Sequence, residues 1–375
     1  MISRGRWLLL SMIFLVSVIL QPITPAGANG VGTVYVASET ASSISVVDTN
    51  TNTVVEVVPL KLPPLSMAFS PDAHFVYVSH VDSNVVSFLD TSVEDVTAST
   101  KLGGQVGQLV LTSGGSWLLA PDPKMGMLRA LDTTSRQELF AIPVGGQPEN
   151  AAAASDGSVA FVADRASGLI SMVDLRQRSV VRTLQAKGTN HYLSISPTGQ
   201  ELFVASMDAD ELLVLDATNG QVKKSLSVGP ASGAVGFSPT GDLAYLPRRD
   251  KAEITIVNAA SGASSGSIAL PGQPAGLGTT RDGKKGYVAL RDKDQVAALD
   301  LAQKSVTAQV PVESGPTSVA VSPLQTKPQS AVMPSALPNT GGGPLPARPL
   351  WTLALGLILL GTLIVGGLRL RLHRR

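Results

Sequence analysis

The chain contains no cysteine, which excludes a disulfide framework, a thiolate metal site, attached c-type haem and a cysteine nucleophile. Histidine is almost as scarce: only His74, His80, His191 and His373 occur, and their spacing gives neither a His-x-x-x-His pair nor a zinc set. Aromatic residues make up 4% of the chain. There is no Gly-x-Ser-x-Gly elbow, no P-loop and no dinucleotide fingerprint, so the common hydrolase and nucleotide-binding signatures are missing. No metal and no cofactor is expected from this inventory.

Excess positive charge is also missing from the body of the chain. Of 29 Lys and Arg, eight (Arg4, Arg6, Lys327, Arg348, Arg369, Arg371, Arg374 and Arg375) lie outside residues 29–323, leaving 21 cations there against all 28 acids, a net of −7. Neutralising phosphates requires surplus cations, so nucleic acid is not expected as a partner.

What the chain does have is a period. Asp48, Asp90, Asp132, Asp174, Asp216, Asn258 and Asp300 are spaced by 42 residues, and each closes a short apolar run. A second column in the same register runs Ser70, Thr112, Ala154, Ser196, Ser238, Thr280 and Ser322. A third is aromatic, with Tyr35, Tyr77, Phe161, Phe203, Tyr245 and Tyr287, and Leu119 as its exception. A period of this size marks a stacked array of one supersecondary unit.

Each unit reads as four short strands without a helical stretch. One carries the aromatic residue, as in Val76-Tyr77-Val78-Ser79; a second ends on the Asp column, as in Ser43 to Asp48; a third follows the turn, as in Ser179 to Gln185. The fourth is rich in small residues, as in Asn150-Ala151-Ala152-Ala153 and Ser318-Val319-Ala320-Val321, which suits sheets crowded around an axis. An Asp or Asn at the head of a polar turn accepts backbone N–H bonds two residues on, which gives the Asp column a structural role. The expected fold is all-β: a seven-bladed β-propeller over residues 31–323, with four-stranded blades. The first unit lacks its own small-residue strand and Ser318 to Val321 has no unit after it, so the last strand is expected to complete the first blade.

Both flanks read as addresses. Arg4 and Arg6 precede an apolar stretch from Trp7 to Leu20, and Ala26-Gly27-Ala28 offers a cleavage site, so residues 1–28 are expected to be a signal peptide, the alternative being a retained anchor. Residues 324–336 form a proline-rich stalk. Residues 351–368 are apolar and uncharged, long enough to be expected as a transmembrane helix, and the Arg-rich tail 369–375 belongs on the cytoplasmic side.

The units resemble the YVTN family of β-propeller repeats, on Val76-Tyr77-Val78, Ser70-Pro71-Asp72 and Val47-Asp48-Thr49; the likeness covers about residues 31 to 323. Asp122-Pro123-Lys124 and Asn258 depart from that pattern. Such propellers are similar to those of surface-layer and secreted proteins. Leu337-Pro338-Asn339-Thr340-Gly341, followed by a spacer, the apolar span and the Arg tail, resembles the LPXTG cell-wall sorting signal. That resemblance implies a sortase whose cysteine attacks the Thr340 carbonyl, releases Gly341 onward and passes the acyl group to a peptidoglycan amine. A plain membrane anchor is the alternative.

The loops after the aromatic strands carry a ring of charge of mixed sign and are the expected ligand face: His80 and Asp82, Asp122 and Lys124, Asp164 and Arg165, Asp208 with Asp210 and Glu211, Arg248 to Lys251 including Arg249, and Arg291 to Asp294 including Asp292. Asp208, Asp210 and Glu211 lack the glycine and terminal Glu of a calcium loop and supply too few of the roughly 6–8 oxygens needed. His191, at the entry to a small-residue strand, is the histidine expected near the axis, where it could act as a general base. The functional expectation is a cell-surface propeller serving as a non-enzymatic binding or structural module with an unidentified ligand. A secreted lactonase- or hydrolase-like propeller is the alternative from a different class.

Overall fold

The computed structural model describes residues 32–189 and 191–324. The segments expected as signal peptide, stalk beyond Leu324, sorting motif, transmembrane helix and Arg tail lie outside the described residues. Twenty-eight strands form seven four-stranded antiparallel sheets, arranged as the seven blades of a propeller. In blade 2, for example, the strands run Pro64–Phe69, Phe75–His80, Val85–Asp90 and Asp95–Lys101, from the axis outward.

The small-residue strand is the innermost of each blade. Blade 1 is closed as the sequence implied: Pro316–Val321 pairs antiparallel with Thr33–Ser38, placing Val34 opposite Val321 and Val36 opposite Val319. Gly32 N–H further donates to the Leu324 carbonyl at 2.7 Å. Every strand is thus paired within residues 32–324, and blade 1 has the same four strands as the other six.

Burial follows position in the blade. The aromatic and Asp-closed strands are covered by neighbouring blades on both faces, so Thr33–Ser38 is buried along its whole length and Val85–Asp90 along most of it. The outer strand Asp95–Lys101 alternates between exposed and half-buried residues, the period-2 pattern of a sheet with one covered face. Fully buried Tyr35, Phe88, Phe161, Phe203 and Tyr287 fill the seams between blades.

One face of the ring, carrying the turns after the inner and third strands, is built from repeated side-chain bonds. Asp48 Oδ1 accepts the N–H groups of Asn50 (2.6 Å) and Thr51 (3.1 Å), and the same arrangement recurs down the column to Asp300, which accepts Gln303 N–H at 2.7 Å. Asn258 does the same through its amide oxygen, at 3.1 Å from Ala260 N and 2.9 Å from Ser261 N, so its departure from Asp leaves the turn intact. The Ser/Thr column caps the other turn: Ser70 Oγ accepts Phe75 N–H at 2.9 Å and Thr280 Oγ1 accepts Lys285 N–H at 3.0 Å. Each such bond contributes about 0.5–1.5 kcal/mol net.

Neighbouring turns on this face also interlock. Gly283 has φ +68°, and a Cβ there would lie 2.2 Å from Cδ of Pro239 in the preceding blade, so glycine serves both the turn and the close approach of its neighbour. Across the seams, the last residue of the outer turn reaches the aromatic column of the blade before it. Tyr35 donates its hydroxyl to Glu94 at 2.7 and 2.9 Å, and Tyr287 to Asn52 Oδ1 at 2.9 Å. Where that aromatic is Phe161, with no hydroxyl to satisfy, the corresponding residue is Gly220.

Candidate ligand-binding mouth

The opposite face of the ring holds the loops after the aromatic strands together with the connections that carry the chain into each next blade. The last residue of the aromatic strand forms a column of its own, Ser38, His80, Asp122, Asp164, Ser206, Arg248 and Leu290. Its chemistry varies, yet most of its members have one task, which is to hold the incoming connection. Ser38 Oγ donates to Glu313 O at 2.8 Å, Ser206 Oγ to Thr189 O at 3.1 Å, and the Arg248 guanidinium to Val228 O at 2.8 Å. Asp164 accepts Gln147 N–H at 3.0 Å.

His80 belongs to this column; it lies apart from the cavities of the polar arc described below and lines a separate one of about 580 Å³ with Leu62, Val85 and Ser87. His80 is 1% exposed, with Nδ1 at 3.1 Å from Leu62 O and Nε2 at 2.8 Å from Ser87 Oγ. The carbonyl can only accept, so Nδ1 carries the proton and Nε2 accepts from the serine. Burial lowers its pKa and keeps the ring neutral. Asp122 is likewise fully buried, its Oδ2 accepting both Nε–H and Nη2–H of Arg129 (2.9 and 2.8 Å); Arg129 also binds Glu138 at 2.6 Å, and Glu138 accepts Gly103 N–H at 2.7 Å.

Most of the other acids expected at the face are engaged with the connections and strands around them. Asp208 accepts Thr189 N–H at 2.7 Å and Ser206 Oγ–H at 2.7 Å; burial pushes its carboxyl up, but these hydrogen bonds outweigh it and hold the pKa down at about 2. Asp292 accepts Gln273 N–H at 2.9 Å, Asp210 accepts Ser227 Oγ–H at 3.0 Å, and Asp82 accepts the Gln105 amide at 3.2 Å. Arg291 pairs with Glu39 of blade 1 at 2.8 Å. Arg249 is exposed. Among the described residues, no group of three or more His, Asp or Glu could hold a metal ion.

Two adjoining cavities open on this mouth, in blades 2 to 5. One, of about 220 Å³, is walled by Gln108, Glu149, Asn150, Arg165, His191 and Tyr192. The other, of about 420 Å³, is walled by Asp82, Gln105, Lys124 and Gln147 and shares Glu149 and Arg165 with the first. Arg165 bonds Glu149 at 3.4 Å across the shared wall, with both side chains partly exposed.

His191 opens the inner strand His191–Ile195 of blade 5, at the axis as expected, and is 2% exposed. Its Nε2–H donates to Lys187 O at 2.9 Å, which leaves Nδ1 as a buried acceptor without a partner among the described residues. Beside it, the Tyr192 hydroxyl donates to the Met207 thioether at 3.8 Å, a weak acceptor, and burial followed by the Glu149 charge pushes its pKa up. Asp82, Asp164, Arg165, His191 and Asp208 therefore gather in blades 2 to 5, while Arg291 and Asp292 stand across the ring.

The mouth is unequal around its circumference although the blades are repeats. At the start of the inner strands, blades 3 to 5 place Gln108, Glu149, Asn150, His191 and Tyr192, whereas blades 6 and 7 place Gly233, Ala234, Ala275 and Gly276 in the same two columns. Glu149, Gln108, Asn150 and Tyr192 were not among the expected site residues. Reading the columns at the inner-strand starts, rather than the charged loops, would have found them.

No family model and no curated protein matches the chain. Solved structures do. A functionally unknown protein from Desulfotomaculum acetoxidans superposes with a TM-score of 0.69 at 13% identity, over 79% of this chain and 100% of that one. Kuenenia stuttgartiensis hydrazine synthase gives 0.62 at 21% identity over 70% and 91% of the two chains. The β-propeller domain of Myceliophteria thermophila Cps50 (Swd1) gives 0.61 at 12% identity over 72% and 97%. At these identities the likeness is one of fold, the seven-bladed propeller, and that fold is shared by enzymes and non-enzymes alike.

Proposed function

We propose that the chain is an exported propeller displayed outside the cell as a binding module and joined to the cell wall through Thr340. The polar arc at the inner-strand starts of blades 3 to 5 supports binding, since its side chains line two cavities while blades 6 and 7 carry only Gly and Ala in the same columns. The order of Leu337-Pro338-Asn339-Thr340-Gly341, apolar run and terminal arginines supports sorting: proline keeps the scissile segment extended, and the span and tail hold it at the membrane for a sortase. Mass spectrometry of fragments from a wall digest tests this. A C-terminus at Thr340 joined to a peptidoglycan peptide is expected; an intact Arg375 in the mature protein would leave a membrane anchor instead.

A second reading, a lactonase- or hydrolase-like enzyme, is favoured by one observation: His191, with a ring nitrogen that has no partner among the described residues, and Glu149 line the same cavity. A substrate screen followed by His191→Ala decides it. Turnover abolished by that substitution would displace the binding role.

A further inference from the structure

Resting on the binding reading, the composition of the two adjoining cavities points to a ligand class. We infer that the arc in blades 2 to 5 binds a neutral polyhydroxylated molecule, the end of an oligosaccharide, rather than an ion. Four amide side chains, Gln105, Gln108, Gln147 and Asn150, line the cavities, each offering a donor and an acceptor side by side. Adjacent hydroxyls of a sugar present the complementary acceptor and donor.

The formal charges cancel. Asp82 and Glu149 stand against Lys124 and Arg165, so the arc exerts little net pull on a phosphate, a carboxylate or an ammonium group. Directional hydrogen bonding is left as the means of recognition. The Glu149 carboxylate and Arg165 guanidinium, 3.4 Å apart, form a fork that accepts from one hydroxyl and donates to the next. Tyr192 contributes an aromatic ring for the C–H face of a sugar and a hydroxyl whose present partner is a weak thioether. Across the mouth, Gly233, Ala275 and Gly276 present no side-chain polar group, so the ligand is held at one edge of the axis.

Residues 29–324, a ring closed on itself, applied to a printed array of neutral and acidic oligosaccharides, with inorganic phosphate and free amino acids as charged probes in solution, test the inference. Selective retention of neutral glycans is expected. In titration calorimetry with the glycan that binds best, Gln108→Ala, Glu149→Ala and Tyr192→Phe should each weaken affinity about 5- to 10-fold, the equivalent of one lost hydrogen bond. Thr317→Ala in blade 1, at the column position of Glu149, should leave affinity within about 2-fold, and melting curves of all four proteins establish that the ring is intact.

Preference for phosphate or amino acids, or glycan binding indifferent to the three arc variants, overturns the inference. Absence of glycan binding with the Thr340-linked wall peptide still recovered overturns the ligand class alone. Absence of both overturns the display reading as well.

Discussion

The two faces of the ring differ in what their side chains do. On the turn face, the Asp column, the Ser/Thr column and the interlocked Pro239 and Gly283 repeat one solution from blade to blade, and their polar groups are spent on backbone partners. On the mouth face, the column from Ser38 to Leu290 changes residue at almost every blade, and the inner-strand starts change from Gly and Ala to Gln, Glu, His and Tyr. Uniformity marks what the fold consumes. Variation divides further, into residues that hold a connection by different chemistry, such as Ser38 and Arg248, and residues that face a cavity, such as Glu149 and Tyr192.

The sharpest way to break this division lies beneath the mouth. Arg129→Met leaves Asp122, fully buried, without its cationic partner, and breaking a buried pair from one side costs roughly 3–5 kcal/mol. Denaturant unfolding should show a loss of that size. A loss below about 1 kcal/mol, the size typical of an exposed ion pair, would mean that the Asp122 column is not structural.

Glycine substitutions compare the faces directly. Gly283→Ala puts a Cβ 2.2 Å from Pro239 at φ +68° and should destabilise by roughly 2–4 kcal/mol, from strain and overpacking together. Gly145→Ala, in a mouth-face connection, has φ +77° but nothing within 4 Å of the new Cβ, so only the left-handed backbone cost of about 1–2 kcal/mol applies. Thermal melts of the two variants should rank in that order.

A further effect concerns pH. Burial raises the Glu94 carboxyl from 4.5 to about 7 at the seam where it accepts the Tyr35 hydroxyl, with Glu56 and Asp90 nearby adding to the rise. A carboxyl that holds its proton more tightly when folded stabilises the fold fully below its unfolded value, and that contribution is lost as pH rises through about 7. Stability measured from pH 4.5 to 8 should therefore decline in the wild type and be flatter in Glu94→Gln. Asp208, held at about 2, works in the opposite sense and loses its contribution only in acid.

Much of the ring was legible because a fixed period fixes register. Once Asp48 and Asp300 share a column, their turns, their strands and the strand that must close blade 1 follow, and Asn258 fits because the bond needs only Oδ1. The mouth was less legible because a cavity depends on which loops cover which. His80 and Asp122 look like loop residues in the chain, yet the connection from the preceding blade crosses over them. Glu149 and Tyr192 sit in a strand that reads as small and apolar, and their distinction emerges only when the same column is compared around the axis.

The central claim, that the polar arc serves a ligand and not the fold, is tested most directly by one protein carrying Gln108→Ala, Glu149→Ala and Asn150→Ala, followed in parallel by its melting curve and by titration with the array-selected glycan. The account predicts a ring that melts within about 1 kcal/mol of wild type and no longer binds. An arc variant that fails to fold, or one that binds as before, would contradict it.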